Sequence, residues 1–175
     1  MKENKELMQR VLILLKPDTL QRGLVGEIVK RFEQAGLKII GMKMLAPDRD
    51  HWHHHYEKIG TMITRHGQQI FEMTLDFMQH GPVIAIVLEG IEGVEVARKL
   101  VGTTEPKSAL PGTIRGDFAH LSYAHGDAQK LGLPNLVHCS GEPDEAELEI
   151  ALWFTPDELH DYTTVHEAFT QPKNK

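Results

Sequence analysis

Three apolar runs of strand character, amphipathic stretches between them and a length of 175 residues predict an α+β protein. In chain order the signals read strand, helix, strand, helices, strand, helix, strand. That is the βαββαβ order of a ferredoxin-like sandwich, a four-stranded antiparallel sheet covered by helices. The length suits a single domain over residues 1–175.

Val11-Leu-Ile-Leu-Leu15 is a short, wholly apolar run and reads as a buried strand ending at Lys16-Pro17, with Asp18 or Thr19 punctuating the loop that follows. From Gly26 to Ala35, Ile28, Val29 and Phe32 fall at helical spacing, and Gly36 is placed to cap the C-terminus. Leu37 to Leu45 reads as a strand. A helix is expected from Asp48 or Asp50 through Tyr56, and another from His66 to Gln79, stopped by Gly81-Pro82. Val83-Ile-Ala-Ile-Val-Leu88 is apolar on both faces and so belongs in the middle of a sheet. Glu92 to Val101 returns to helix, and Thr103 to Arg115, rich in Gly and Pro, reads as a long functional loop. Asp117 to Ser122 reads as a short strand, followed by a polar stretch, Tyr123 to Pro134, suited to a small hairpin or lid. A last helix, Asp144 to Leu152, ends at Trp153-Phe154, and the tail turns polar by Gln171.

Composition narrows the function. Apolar residues make up 41% and charged residues 25%, ordinary for a globular protein. A net charge of −6 and only 6% aromatic residues argue against dedicated nucleic-acid binding, though a local cation cluster can still hold a nucleotide. No apolar run approaches the roughly 20 residues that span a bilayer. The charged start, Met1 to Arg10, lacks a signal-peptide core. Cys139 is the sole cysteine, which precludes an intrachain disulfide. A cytoplasmic location is the expectation.

Two segments carry the chemistry. Asn135-Leu-Val-His138-Cys-Ser140 presents a histidine, and Glu149 follows it by eleven positions. An imidazole is a good nucleophile near neutral pH, provided that one nitrogen is free and the other is held, which Glu149 can do if the helix folds back. Pro111-Gly-Thr-Ile-Arg115-Gly-Asp117 offers a guanidinium in a turn where Gly112 and Gly116 would let backbone approach an anion. Together they read as phosphoryl transfer through a histidine. His51-Trp-His-His-His55 invites a zinc reading, but it has no carboxylate on the matching face and no cysteine nearby, so no protein-held metal is expected.

These segments resemble the nucleoside diphosphate kinase family, whose signature is Asn, two apolar residues, His, a small residue, Ser, Asp. Here Cys139 takes the small position and Gly141 replaces the aspartate. Lys16-Pro-Asp18, Arg22-Gly-Leu-Val-Gly26, His55-Tyr56, Gly81-Pro82-Val83, Glu89-Gly90 and Glu147 to Phe154 also match, so the likeness spans a core of about 9–162. The resemblance implies a ping-pong exchange in which ATP or another nucleoside triphosphate phosphorylates His138 and a diphosphate then takes the group. It implies Glu149 and Ser140 as supports of His138, and Tyr56 nearby. Arg98, Thr104 and Arg115 would contact phosphates, while Lys16 and Asn135 would reach the sugar hydroxyls. The family clamps the base on the helix near 66–79, where the register gives Ile70 and Thr74, with Phe71 beside them as a possible substitute. Magnesium is implied, held mainly by the nucleotide phosphates and water. A homo-oligomer, hexamer or tetramer, is implied too, with Val25 to Ile40 suited to a dimer interface and Thr103 to Pro111 near the subunit junctions.

Overall fold

The computed structural model describes residues 7–170; Met1 to Glu6 and the polar tail from Gln171 lie outside the described residues. Four strands form one sheet: β1 (Met8–Leu15), β2 (Lys38–Leu45), β3 (Val83–Ile91) and β4 (Val137–Cys139), in the order β2-β3-β1-β4. All three pairings are antiparallel. β3 and β1 lie centrally, because their side chains are apolar on both faces and need cover on both.

Strand alternation then builds two cores. Val11, Ile13 and Leu15 of β1 point to one face and meet Ile86 and Leu88 of β3. The helices α2 (Val25–Gln34), α6 (Gly93–Val101) and α7 (Ile114–Phe118) cover that face, through Ile28, Phe32, Val94, Ala97 and Ile114. Leu12 and Leu14 point to the opposite face. There they join Trp52 of α3 (Arg49–His53), Phe71, Leu75 and Met78 of α5 (Gln68–Met78), and Ile150 and Trp153 of α9 (Pro143–Trp153).

Several expectations need correction. Asp117 to Ser122 is not a strand. Thr113 caps α7 by accepting from the Gly116 amide at 3.0 Å, so residues 114–118 are helical, and the fourth strand is instead Val137–Cys139. The loop after β1 contains a short helix, α1 (Pro17–Gln21), with Pro17 in its first turn, where a missing amide costs nothing. The helix from Asp48 is capped by Asp48, whose Oδ1 accepts from the His51 amide at 2.8 Å, but it turns into a π-helical segment over His54–Ile59. The helix expected over His66 to Gln79 is observed as α5, and a separate short helix, α4 (Met62–His66), precedes it across Gly67 at φ +88°. The stretch from Tyr123 is neither hairpin nor plain loop but a helix, α8 (Tyr123–Gln129), followed by an extended return to Asn135.

Candidate active site

The site is assembled at the end of β4. Period-two alternation sends Val137 and Cys139 toward the first core and His138, paired with Leu14, to the other side. The strand is held at both ends. Ser140 donates its amide to the Leu12 carbonyl at 3.1 Å, and its hydroxyl accepts from the Leu12 amide at 3.1 Å.

Leu136, just before β4, has φ +72°, which costs a residue with a Cβ energy, and the Val137 amide donates to the Asn135 carbonyl across it at 2.8 Å. This tight turn is stabilised from α1. Asp18 Oδ2 accepts from the Leu136 amide at 3.0 Å, and the Thr19 hydroxyl donates to the Leu136 carbonyl at 2.6 Å. Sequence reasoning gave Asp18 and Thr19 only a role in the loop. Nothing local in the sequence signals that they hold a turn more than a hundred residues away.

His138 Nε2 lies 2.8 Å from Glu149 Oε1, and the Ser140 hydroxyl donates to Glu149 Oε2 at 2.6 Å. Both carboxylate oxygens are thus engaged on a residue buried to 1% exposure. An ionised carboxylate accepts, so the proton sits on Nε2 and Nδ1 keeps its lone pair. Among the described residues Nδ1 has no hydrogen-bond partner, and the His138 side chain is 19% exposed at the pocket.

The π-helical segment His54–Ile59 carries two consecutive side chains, His55 and Tyr56, that both lie against this group. His55 was missed as a site residue; its neighbour in the His51–His55 run masked it as a metal pattern. Its ring centroid is 4.5 Å from that of His138. Its Nδ1 accepts from Trp153 Nε1 at 3.2 Å, so the neutral ring carries its proton on Nε2, 3.7 Å from Glu149 Oε1. Burial, then the proximity of His138, pushes the His55 pKa down and keeps it neutral. Tyr56 is stacked on Trp52, and burial followed by the Glu149 charge pushes its phenol up, so its buried hydroxyl stays protonated.

His55, His138 and Glu149 form the one cluster of three potential metal ligands among the described residues. The 2.8 Å between His138 and Glu149 is a hydrogen bond, and two ligands about 2 Å from one tetrahedral ion must stand farther apart than that.

Arg115 departs from the simple picture of a free phosphate fork. It is buried, and its Nε donates to the Asn135 carbonyl at 3.1 Å, Nη1 to Gly102 at 2.9 Å and Nη2 to Val137. Two of its N–H donors therefore clamp the turn before His138 and a third ties it to the end of α6, while Arg115 also lines the pocket. Burial lowers its pKa to about 10, which leaves it charged at neutral pH. Gly116 serves packing rather than an anion, because a Cβ there would collide with the Leu110 carbonyl. Lys16 donates to Asn135 Oδ1 at 2.7 Å, and Asn135 Nδ2 to the Thr104 carbonyl at 2.9 Å. Burial, reinforced by Arg115, lowers Lys16 to about pH 8. Burial pushes the Cys139 thiol up to about 12, so it is a poor thiolate.

A cavity of about 320 Å³ joins these groups. Lys16, Tyr56, Arg98, Thr104, Arg115, Asn135 and His138 line it, as do Ile70 and Thr74 on α5. Ser140 is brought to the cluster only through Glu149. Phe71 does not take over the clamp: it is 2% exposed, packed in the second core beside His53.

An unprotonated ring nitrogen facing guanidinium groups in a cavity of nucleotide size is equipped to accept a phosphoryl group and pass it on. Fold and site together define the chain as a phosphotransferase of ferredoxin-like architecture. It belongs to the nucleoside diphosphate kinase family, whose model matches residues 9–159. The nucleoside diphosphate kinase of Pyrococcus furiosus is 42% identical over 168 residues, covering 96% of each chain. A solved structure of the Borrelia burgdorferi enzyme, a transition state mimic with vanadate and ADP, superposes with a TM-score of 0.91. It is 38% identical and covers 94% of this chain and 97% of its own. The Halobacterium salinarum enzyme in complex with CDP gives a TM-score of 0.78 at 37% identity, covering 92% and 97%.

Proposed function

We propose that one domain, with its core at about 9–162, transfers the terminal phosphate of a nucleoside triphosphate to a nucleoside diphosphate by a ping-pong cycle through His138. The observation that carries this reading is the Glu149 carboxylate, bonded to His138 Nε2 on one oxygen and to Ser140 on the other. Nδ1 attacks the γ-phosphorus, the bond to the bridging oxygen breaks, and the diphosphate leaves with that electron pair. The imidazolium formed on phosphorylation keeps its Nε2 proton, which Glu149 stabilises. The second half-reaction runs the same displacement backwards onto a different diphosphate, so one site serves both nucleotides.

Arg98, Thr104 and Arg115 hold the phosphates in this reading, and Arg115 also fixes the turn that aims His138. Lys16 and Asn135, already bonded to each other, open their pair to the sugar hydroxyls. Tyr56 supports the histidine from the side, and Ile70 and Thr74 give the base an apolar floor that discriminates little between bases.

Magnesium fits as a nucleotide-borne ion. Both oxygens of Glu149 are taken, and Glu145 Oε2 accepts from the Gly141 amide at 2.7 Å, so these site carboxylates offer no oxygen cage. When bound, the ion neutralises charge on the β- and γ-phosphates.

Among the described residues no helix is long and apolar enough to cross a membrane. That, with a lone unpaired cysteine, supports a cytoplasmic location. Assembly into a tetramer or hexamer is supported by β2, an edge strand with Met42 and Met44 47% and 63% exposed. Light scattering of the purified chain tests it, and a monomer mass would reject it.

The reading is tested with γ-labelled ATP and magnesium, using the wild type and His138→Ala. Acid-labile, base-stable label on the wild type alone, chased into GTP or CTP by GDP or CDP, is expected. Nucleotide binding without label on either protein would reduce the chain to a binding protein.

A further inference from the structure

At position 141 the family signature has an aspartate and this chain a glycine, directly after Ser140. The space beside that glycine is not vacant. Glu145 reaches back from the first turn of α9, and its Oε2 accepts from the Gly141 amide at 2.7 Å. A Cβ on Gly141 would collide with that same Oε2, and would stand 3.9 Å from Nη1 of Arg98. A side chain at 141 and the Glu145 carboxylate are therefore rival occupants of one place. Glu145 is a flexible arm and can give way, but only by releasing the amide it holds.

The start of α9 explains why a carboxylate settles there. Glu142, at the N-cap, makes no side-chain cap hydrogen bond, and Pro143 follows at the first helical position. The N-terminus of a helix carries partial positive charge and unpaired amides, both of which favour an anion. A glutamate at the third helical position that reaches back in this way supplies one half of a capping box. The same helix carries Glu149 one turn further on, and the turn that Glu145 ties down follows Ser140. Glu145 thus joins the two supports of His138.

The carboxylate also has an electrostatic part. Arg98 comes from the last turn of α6, and Arg98, Gly141 and Glu145 all line the cavity. A lone carboxylate beside a polyphosphate would repel it. Facing a guanidinium, it instead draws a long, rotatable side chain toward one place and lowers the cost of ordering that chain on a ligand. We propose that Glu145 is a positioning residue, supplying from α9 the carboxylate that the signature places at 141 and holding Arg98 at the phosphate end of the cavity. This rests on the nucleotide reading above, and concerns how the phosphates are gripped rather than how His138 attacks.

The test uses the full chain with Glu145→Ala, Glu145→Gln, Gly141→Asp, and Gly141→Asp paired with Glu145→Ala. Calorimetry with ADP and magnesium gives affinity, rapid quench at saturating γ-labelled ATP gives the rate of His138 phosphorylation, and thermal melts give stability. Glu145→Ala should weaken ADP about three- to tenfold, the cost of ordering one long side chain, with the phosphorylation rate within about twofold of wild type. Glu145→Gln keeps an acceptor for the amide but loses the charge. Its melt should stay near that of the wild type while its ADP affinity falls as in Glu145→Ala. Gly141→Asp alone crowds two carboxylates and should weaken ADP as well. The paired variant should return ADP affinity to within about twofold of wild type.

Unchanged or tighter ADP binding in Glu145→Ala overturns the proposal and leaves the carboxylate a helix cap. So does wild-type affinity in Glu145→Gln, or a paired variant no better than the weaker of its two single variants. In an Arg98→Ala background Glu145→Ala should weaken ADP no further, and additive losses would also overturn it. Failure of the phosphotransfer reading shows separately, as a wild type that binds ADP but takes no label from γ-labelled ATP.

Discussion

The floor and the rim of the cavity are built differently. On the floor, Arg115, Asn135, Ser140 and Glu149 are buried, and each is held by hydrogen bonds to other residues of the floor or its supports. On the rim, Arg98, Thr104 and Tyr123 are exposed, with Arg98 on the outer turn of α6. Groups that must meet a developing charge at a fixed distance gain from being immobile before the substrate arrives, whereas groups that meet a mobile ligand need only be reachable. The floor should therefore couple activity to stability, and the rim should not.

The largest effect expected is that of His138→Ala, which should lower turnover by about 10⁴-fold or more and, by leaving one oxygen of the buried Glu149 unpaired, lower the melting temperature as well. Next comes the contrast between the two arginines. Arg115→Ala removes the side-chain donors to the Gly102 and Val137 carbonyls, at about 1–3 kcal/mol for each left unsatisfied, and should lose several degrees of melting temperature along with activity. Arg98→Ala should change stability by less than about 0.5 kcal/mol and act through nucleotide KM alone. Equal stability losses in the two variants would erase the distinction between floor and rim.

Glu149→Gln keeps shape but swaps a charged acceptor for an amide. A loss of about 10- to 100-fold in the rate of His138 phosphorylation is expected from rapid-quench measurements, with ADP affinity unchanged. An ADP affinity that falls in step would show that Glu149 acts on the pocket as a whole.

Lys16 gives a pH signature of the floor. Its pKa is lowered to about 8 in the folded chain from 10.5 when free. Between those values the unfolded chain binds more protons than the folded one, so Lys16 makes stability rise with pH across that window and opposes folding below it. A bound diphosphate restores its charge. Nucleotide binding should thus take up protons at pH 8–9, measured by calorimetry in buffers of different ionisation enthalpy, and Lys16→Met should abolish that uptake. The smallest effect belongs to Cys139. With its thiol pushed up to about 12, alkylation by iodoacetamide at pH 7.5 should be slow, and Cys139→Ala should change turnover less than about twofold.

The sequence alone determined much of this protein. Apolar runs at β1, β2 and β3 and the helical spacing around Ile28 and Phe32 are local patterns, so the α+β class followed from them directly. His138, Glu149, Arg115, Lys16 and Asn135 stood out because their residue types and order carried a family likeness. The fourth strand did not, since three residues leave too short a run for periodicity to register. His55 and Tyr56 reach the site only because the segment His54–Ile59 packs beside His138 and α9. Asp18 and Thr19 hold the turn at Leu136 across more than a hundred residues, and Gly132 lets the return toward Asn135 press against α5. Those features arise from contacts between distant segments, and no local pattern encodes which partner a side chain will find once the sheet has closed.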